Sequence, residues 1–127
     1  NIDVISWFDD VSYFDSLGII IPFLIAATLK TAQGSSTVAM ITAASIIYPI
    51  LFIFGLENDT GKIFTILAIG VGSMTVSHAN DSYFWIVSQM SGLDIKTAYQ
   101  THTIATFIQG VSGIIFLLIT YNLYKLF

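Results

Sequence analysis

The chain has 127 residues, of which 55% are hydrophobic and only 9% are charged, with a net charge of −4 and a mean hydropathy of +0.83. Soluble domains carry roughly a quarter charged residues, so this composition indicates a membrane protein. The scarcity of positive charge excludes a nucleic-acid-binding surface, and the absence of cysteine excludes a disulfide framework and a thiolate metal site.

Residues 1–16 combine aromatic and acidic side chains. The apolar residues recur at helical spacing, and the acidic residues lie off that face. This pattern predicts a short amphipathic helix at the membrane interface, and a surface loop is the alternative. The chain begins with Asn1 rather than methionine and lacks the layout of a signal peptide, so we expect a part of a longer protein.

Residues 17–56 form two apolar runs around a small polar tip at residues 33–37. The first run would be about 24 Å long as a helix, shorter than the ~30 Å hydrocarbon core. A glycine followed by three hydroxyl residues ends one helix and caps the next. The pattern favours a re-entrant helical hairpin, and two ordinary membrane spans with a tight turn are the alternative. Pro49 predicts a kink or an end in the second arm.

Residues 63–90 contain two apolar halves around a polar break at residues 77–82, and neither half is long enough to span a membrane alone. Together they predict a discontinuous transmembrane helix, which transporters use to place backbone dipoles and carbonyl groups at the membrane midplane. Hydrophilic loops are predicted on either side, at residues 57–62 and 91–103, the second with a short surface helix as the alternative. Residues 104–127 predict a final transmembrane helix, so the fold class is an all-α membrane protein.

The two polar breaks predict a binding site for a small carboxylate that carries hydroxyl groups. Each break leads into a helix start, where free amide groups attract an anion. The residues that open these helices are Ser35, Ser36, Thr37, Asn80, Asp81 and Ser82. The first three would bind the carboxylate, and Asn80 with Ser82 would recognise the hydroxyl groups. Gln33 would bind substrate hydroxyl groups or satisfy the tip.

Three ionisable residues lie in or near these breaks. Asp81 is the only acidic residue deep in the predicted membrane region. Burial favours a protonated carboxyl group, which makes Asp81 a candidate proton carrier. The alternative is a structural role as a helix cap. His78 is the second candidate for proton coupling, or a packed neutral histidine. Lys30 would attract the anion, neutralise Asp81 or extend to the interface.

An enzyme is disfavoured. Ser77, His78 and Asp81 are the residue types of a hydrolase triad, but adjacent serine and histidine side chains diverge, and a triad is defined by geometry. The chain shows no histidine or carboxylate spacing typical of a metal site and no phosphate-binding loop.

Two stretches closely resemble signatures of the gluconate permease family. They are residues 32–44 (AQGSSTVAMITAA), and residues 77–82 (SHANDS) followed by Phe84 and Trp85. The Gly92–Leu93 pair and the turn at residues 101–103 also match in place, although the family usually has tryptophan at the position of His102. A basic residue at position 30 fits the family as well. The resemblance extends from about residue 17 to the end of the chain.

The resemblance implies a proton-coupled symporter for gluconate or a related sugar acid, without a cofactor, in the ion transporter superfamily. It implies an inverted-repeat fold, of which this chain would hold the second repeat's hairpin, discontinuous helix and final helix, so that the N-terminal half is missing. It further implies a multi-pass homodimer in the lipid of a bacterial inner membrane. A sodium-coupled organic-anion or dicarboxylate carrier of the same superfamily, and a non-transporting membrane fragment, are the alternatives.

Overall fold

The computed structural model describes residues 14–127, and among them every regular element is helical. The elements are α1 (Phe14–Gln33), α2 (Ser36–Ile47), a 3-10 segment (Tyr48–Phe54), α3 (Asp59–Ser73), α4 (Ser82–Met90), α5 (Ile95–Ala98), a π-helical segment (Tyr99–Thr103) and α6 (Ile104–Leu126). The all-α prediction is confirmed for these residues. The predicted interfacial helix at residues 1–16 lies outside them, except for its last three residues, which begin α1.

α1 and α2 are separated by Gly34 and Ser35 alone. Gly34 adopts a φ of 72°, a left-handed conformation that ends helices, and its N–H donates to the Lys30 carbonyl at 2.8 Å. The Ser35 hydroxyl accepts a hydrogen bond from the Val38 N–H at 3.3 Å and caps α2. The predicted tip at residues 33–37 contains this turn, across which α1 and α2 pack against each other.

Pro49 changes the type of helix without ending the second arm. The chain passes from α2 directly into the 3-10 segment, and Pro49 lies in its first turn, where a missing N–H is tolerated. The helical run Ser36–Phe54 is long and apolar enough to cross a membrane, and so is Ile95–Leu126. These are the two such helices in the part of the chain that the structure describes; the apolar helix Leu17–Gln33 is shorter.

Both predicted loops, at residues 57–62 and 91–103, contain helical turns. Asn58 caps α3 with its side chain, so that this helix already begins at Asp59. Asp94 caps α5 by accepting a hydrogen bond from the Thr97 N–H at 3.4 Å. Hydrogen bonding by Thr97 also holds the pKa of Asp94 below its ordinary value. At residues 91–103 the helix α5 matches the alternative of a short helix. At residues 57–62 the predicted loop is too long, because a polar cap resembles loop residues in a sequence.

The chain unwinds between α3 and α4, over residues 74–81. The predicted break at 77–82 overlaps this segment but starts three residues late, and Ser82 is already the first residue of α4. Val76 has a φ of 54°, a conformation that is strained for a β-branched residue. Such strain persists only where surrounding contacts impose it, so the unwound segment is held by its neighbours.

The core lies between α1, α3 and α6, with the second arm packed against it. Its buried side chains are Ile19, Phe23, Ile47, Leu51, Leu56, Phe64, Ala68, Ile114, Leu117 and Tyr121. Glycines allow the close approach of these helices: a Cβ on Gly72 would collide with the Phe23 carbonyl, and a Cβ on Gly110 would collide with Thr75. The middle of α1 therefore lies against the end of α3, and α6 lies against the start of the unwound segment.

Large apolar side chains also cover the outside of the molecule. Examples that are more than half exposed are Ile41, Ile66, Phe107, Ile108, Phe116 and Ile119. Helices whose outer faces are as apolar as the faces that pack in the core are typical of a lipid environment, because exposing such an apolar surface to water is unfavourable.

Candidate functional site

A buried ion pair joins the end of α1 to the unwound segment. The Lys30 Nζ lies 2.5 Å from the Asp81 Oδ2, and the two side chains are 2% and 7% exposed. The same ammonium group donates to the Gly34 carbonyl at 3.3 Å. Of the alternatives for Lys30, neutralisation of Asp81 is therefore the one observed in this conformation. The pair connects the tip between α1 and α2 to the start of α4.

Asp81 accepts hydrogen bonds through both of its oxygens. Its Oδ2 accepts from the Ser77 hydroxyl at 2.5 Å as well as from Lys30, and its Oδ1 accepts from the Tyr83 N–H at 3.0 Å. The last contact is the N-cap of α4, whose dipole also favours a negative charge at this end. Asp81 is thus a helix cap and an ion-pair partner at once, so the structural interpretation and an ionisable role are compatible.

Hydroxyl groups at the junction of the π-helical segment and α6 bind the unwound backbone. The Ser77 N–H donates to the Thr106 Oγ1 at 3.0 Å, and the Thr103 hydroxyl donates to the Ser77 carbonyl at 2.6 Å. Backbone groups without partners are costly away from water, so these two threonines make the break possible inside an apolar surrounding. Sequence reasoning assigned them no role, although two threonines three positions apart, at the start of an apolar run, were a usable signal.

Thr106→Val is expected to destabilise the whole protein by about 1–3 kcal/mol, because the isosteric side chain leaves the buried Ser77 N–H without its acceptor. The thermal unfolding midpoint in detergent measures the effect. Thr120→Val is the matched control, since the Thr120 hydroxyl donates only to the Phe116 carbonyl within its own helix. Equal midpoints for the two variants would contradict a role of Thr106 in holding the break.

His78 and Asn80 bind the last turn of α1. The Asn80 amide donates to the carbonyls of Thr31 and Ala32 at 2.8 and 3.3 Å. The His78 Nε2 lies 3.0 Å from the Thr31 carbonyl, and it carries the proton in this contact because a carbonyl oxygen only accepts. Carbonyls at a helix end lack partners inside the helix, so these contacts dock α1 onto the break. The predicted roles of both residues in substrate binding or proton coupling stay predictions.

A cavity of about 550 Å³ lies where α1, α2, α4, α6 and the break meet. Its lining residues are Lys30, Gly34, Ser35, Ser36, Met74, Ser77, Asp81, Ser82, Tyr83, Ile86, Thr106 and Gln109. Five of the predicted site residues are among them: Lys30, Ser35, Ser36, Asp81 and Ser82. The other four predicted residues, Gln33, Thr37, His78 and Asn80, do not line it. Gln109 lines the cavity from α6, and sequence reasoning missed it.

The cavity combines one ammonium group, one carboxylate and several hydroxyl groups with apolar walls. The N-terminus of α2 opens beside it at Ser35 and Ser36, and the first amides of a helix favour an anion. This set of groups suits a small anion that also carries hydroxyl groups. The described residues contain no cluster of three or more side chains that would hold a metal ion.

Comparison with known families agrees with this geometry. A sequence profile of the GntP family permeases matches residues 11–123. The chain belongs to the GntP permease family. This membership confirms the resemblance drawn from the two polar stretches, and it places the chain in a family of permeases rather than of enzymes.

Several bacterial relatives are similar to the chain. The gluconate permeases of Pseudomonas aeruginosa and Bacillus subtilis are each 36% identical over 101 residues, which cover 80% of this chain and 22% of either relative. The D-serine transporter DsdX of Escherichia coli K12 is 36% identical over 93 residues, which cover 73% of this chain and 20% of that protein. The chain thus spans about a fifth of the length of these relatives. No solved structure matches it.

Proposed function

We propose that the chain is the C-terminal part of a proton-coupled symporter that carries gluconate or a related sugar acid across a bacterial inner membrane. The observation that carries this proposal is the cavity between the α1–α2 turn and the unwound segment. Lys30 and Asp81 line it beside the hydroxyl groups of Ser35, Ser36 and Ser82. An ammonium group with hydroxyl groups can bind a hydroxylated carboxylate, and an ionisable carboxyl group can carry a proton.

The names of the relatives point to the same ligand chemistry. Gluconate and D-serine share a carboxylate and at least one hydroxyl group, and proteins named for their transport are similar to this chain. In the proposed site Lys30, Ser35 and Ser36 bind the carboxylate at the start of α2, while Ser82 binds hydroxyl groups. Asp81 is the proton-coupling residue and His78 is the second candidate.

The proposed architecture is that of a transporter with alternating access. α1 and α2 act as a re-entrant hairpin, and α3 with α4 acts as a discontinuous transmembrane helix, so that both breaks lie near the membrane midplane. An N-terminal half, related by an inverted repeat, would complete the site and bring polar groups to Gln33, Thr37 and Asn80. The multi-pass protein would contact lipid through its apolar exterior and form a homodimer.

Proton coupling is favoured over sodium coupling by the contacts of Asp81. A sodium ion needs several oxygen ligands, and the Asp81 Oδ2 is already paired with the Lys30 ammonium group and the Ser77 hydroxyl. A proton needs one acceptor oxygen only.

The test is uptake of labelled gluconate by proteoliposomes that contain the whole protein. We expect uptake when a pH gradient, acidic outside, is imposed, and none when a sodium gradient replaces it. A protonophore should abolish the accumulation, and liposomes without protein are the control. Uptake that follows sodium would overturn the proton coupling, and no uptake of gluconate, other sugar acids or D-serine would overturn the transport function.

A further inference from the structure

We propose that Lys30 couples proton binding to substrate binding by exchanging its partner: a proton neutralises Asp81, and the released ammonium group pairs with the carboxylate of the substrate. This inference rests on the proposed function and assigns its coupling step to one side-chain contact. The proton is taken up from one side of the membrane onto the Asp81 Oδ2 and leaves from the same oxygen on the other side. When the substrate has dissociated and the proton has left, Lys30 pairs with Asp81 again.

The geometry allows Lys30 to change partners while remaining in place. Its Nζ lies 3.3 Å from the Gly34 carbonyl, a contact that does not involve Asp81, and the side chain lines the same cavity as Ser35 and Ser36. A released ammonium group therefore stays anchored at the N-terminal end of α2, where the helix also favours an anion. The substrate carboxylate replaces the carboxylate of Asp81 at a position that is already electropositive.

Asp81 gives up the hydrogen bond from Lys30 when it is protonated but keeps its contacts with Ser77 and Tyr83. The Oδ1 continues to accept from the Tyr83 N–H, because the proton resides on the Oδ2. The Oδ2 now donates to the Ser77 hydroxyl, which reverses the direction of the present bond, since a hydroxyl group both donates and accepts. Protonation thus leaves no buried polar group of Asp81 without a partner.

The charge of the site explains why proton and substrate would move together. With the pair intact the site is neutral, and it is neutral again when one proton and one monoanionic substrate are both bound. A proton alone would leave a single positive charge, and the anion alone would leave a single negative charge. An uncompensated charge is strongly disfavoured in a buried site, so the two singly loaded states are suppressed.

Few other groups disturb this balance. His78, on the unwound segment, binds the Thr31 carbonyl rather than Asp81, and Tyr83 lines the cavity from α4. The lining residues that come from α2 and α6 are uncharged. Among the described residues Lys30 is therefore the one charged group paired with Asp81.

The first test is the response of the whole protein to membrane potential. Gluconate uptake into proteoliposomes is measured at a fixed pH gradient while a potassium gradient with valinomycin sets the potential. We expect one proton per gluconate and the same uptake at every potential. Uptake that is driven by pH but changes with potential would overturn the exchange of partners while leaving proton-coupled transport intact. Failure of the wild-type protein to transport at all would instead concern the proposed function.

The second test separates the two partners. Asp81→Asn leaves Lys30 free, so the loaded site is neutral and the empty site is positive. We expect this variant to retain gluconate exchange, to lose accumulation and to lose the dependence of exchange on pH. Lys30→Met is expected to lose both exchange and accumulation, because the bound anion then has no counter-charge. Lys62→Met, a change at an exposed lysine, is the control for loss of a positive charge.

Accumulation driven by a pH gradient in Asp81→Asn, or gluconate exchange in Lys30→Met at the wild-type rate, would overturn the proposal. If either variant does not fold, gluconate uptake by the wild-type protein at different membrane potentials decides the question alone.

Discussion

Lys30→Met is expected to destabilise the whole protein by about 3–5 kcal/mol, because it leaves the Asp81 carboxylate buried without its counter-charge. The side chains of this pair are only 2% and 7% exposed, so solvent screens the remaining charge poorly. The loss should shrink as the pH falls, since protonation of Asp81 removes the charge that needs a partner. The effect is measured by unfolding the protein in detergent at several pH values and monitoring the loss of the helical circular dichroism signal.

The double variant Lys30→Met/Asp81→Asn is expected to recover most of that stability. Asparagine keeps an oxygen that can accept from the Tyr83 N–H, and it carries no charge. Lys62→Met is the matched control for the loss of a lysine, because its pair with Asp59 is exposed and 3.9 Å long, and it should change stability by at most about 1 kcal/mol. A double variant as unstable as Lys30→Met would contradict the view that the unpaired charge is responsible.

The sequence was sufficient to locate both interruptions of the helices because their chemistry is local. Glycine and hydroxyl residues at 33–37, and polar residues at 77–82, stand between apolar runs, and such residues end and cap helices through contacts within a few positions. The observed turns lie at residues 34–35 and 74–81. The early start of the second interruption reflects a tertiary effect, since residues 74–76 are apolar or weakly polar and carry no local signal to unwind.

The sequence offered the partners within the site only as alternatives, such as the three roles considered for Lys30. Lys30 and Asp81 are 51 positions apart, and their pairing depends on the way α1 packs against α3. The same holds for Asn80, whose amide binds the carbonyls of Thr31 and Ala32 in this conformation, while its predicted role in ligand binding stays a prediction. A polar residue in an apolar chain signals that it needs a partner, but only the packing of the helices decides which partner it has.

A second large effect is expected at the tip between α1 and α2. Gly34→Ala should destabilise the whole protein strongly and abolish transport, because an added Cβ would collide with the carbonyl group of Asn80. The colliding atoms belong to backbone, which is held in place by the contacts of the unwound segment, so the clash is not relieved by a side-chain rotation. The tip must then move away from the break, which separates Lys30 from Asp81 and opens the cavity that they line.

Gly92→Ala is the matched control for this prediction. Gly92 has a φ of 64°, close to the 72° of Gly34, but a Cβ added there meets no atom within 4 Å. Alanine at a left-handed position costs about 1 kcal/mol of backbone strain at either site. The difference between the two variants, measured as unfolding midpoint and as gluconate uptake, therefore isolates the contact between tip and break. Equal behaviour of the two variants would mean that this contact is not needed for folding or transport, and the site would have to be assembled in another way.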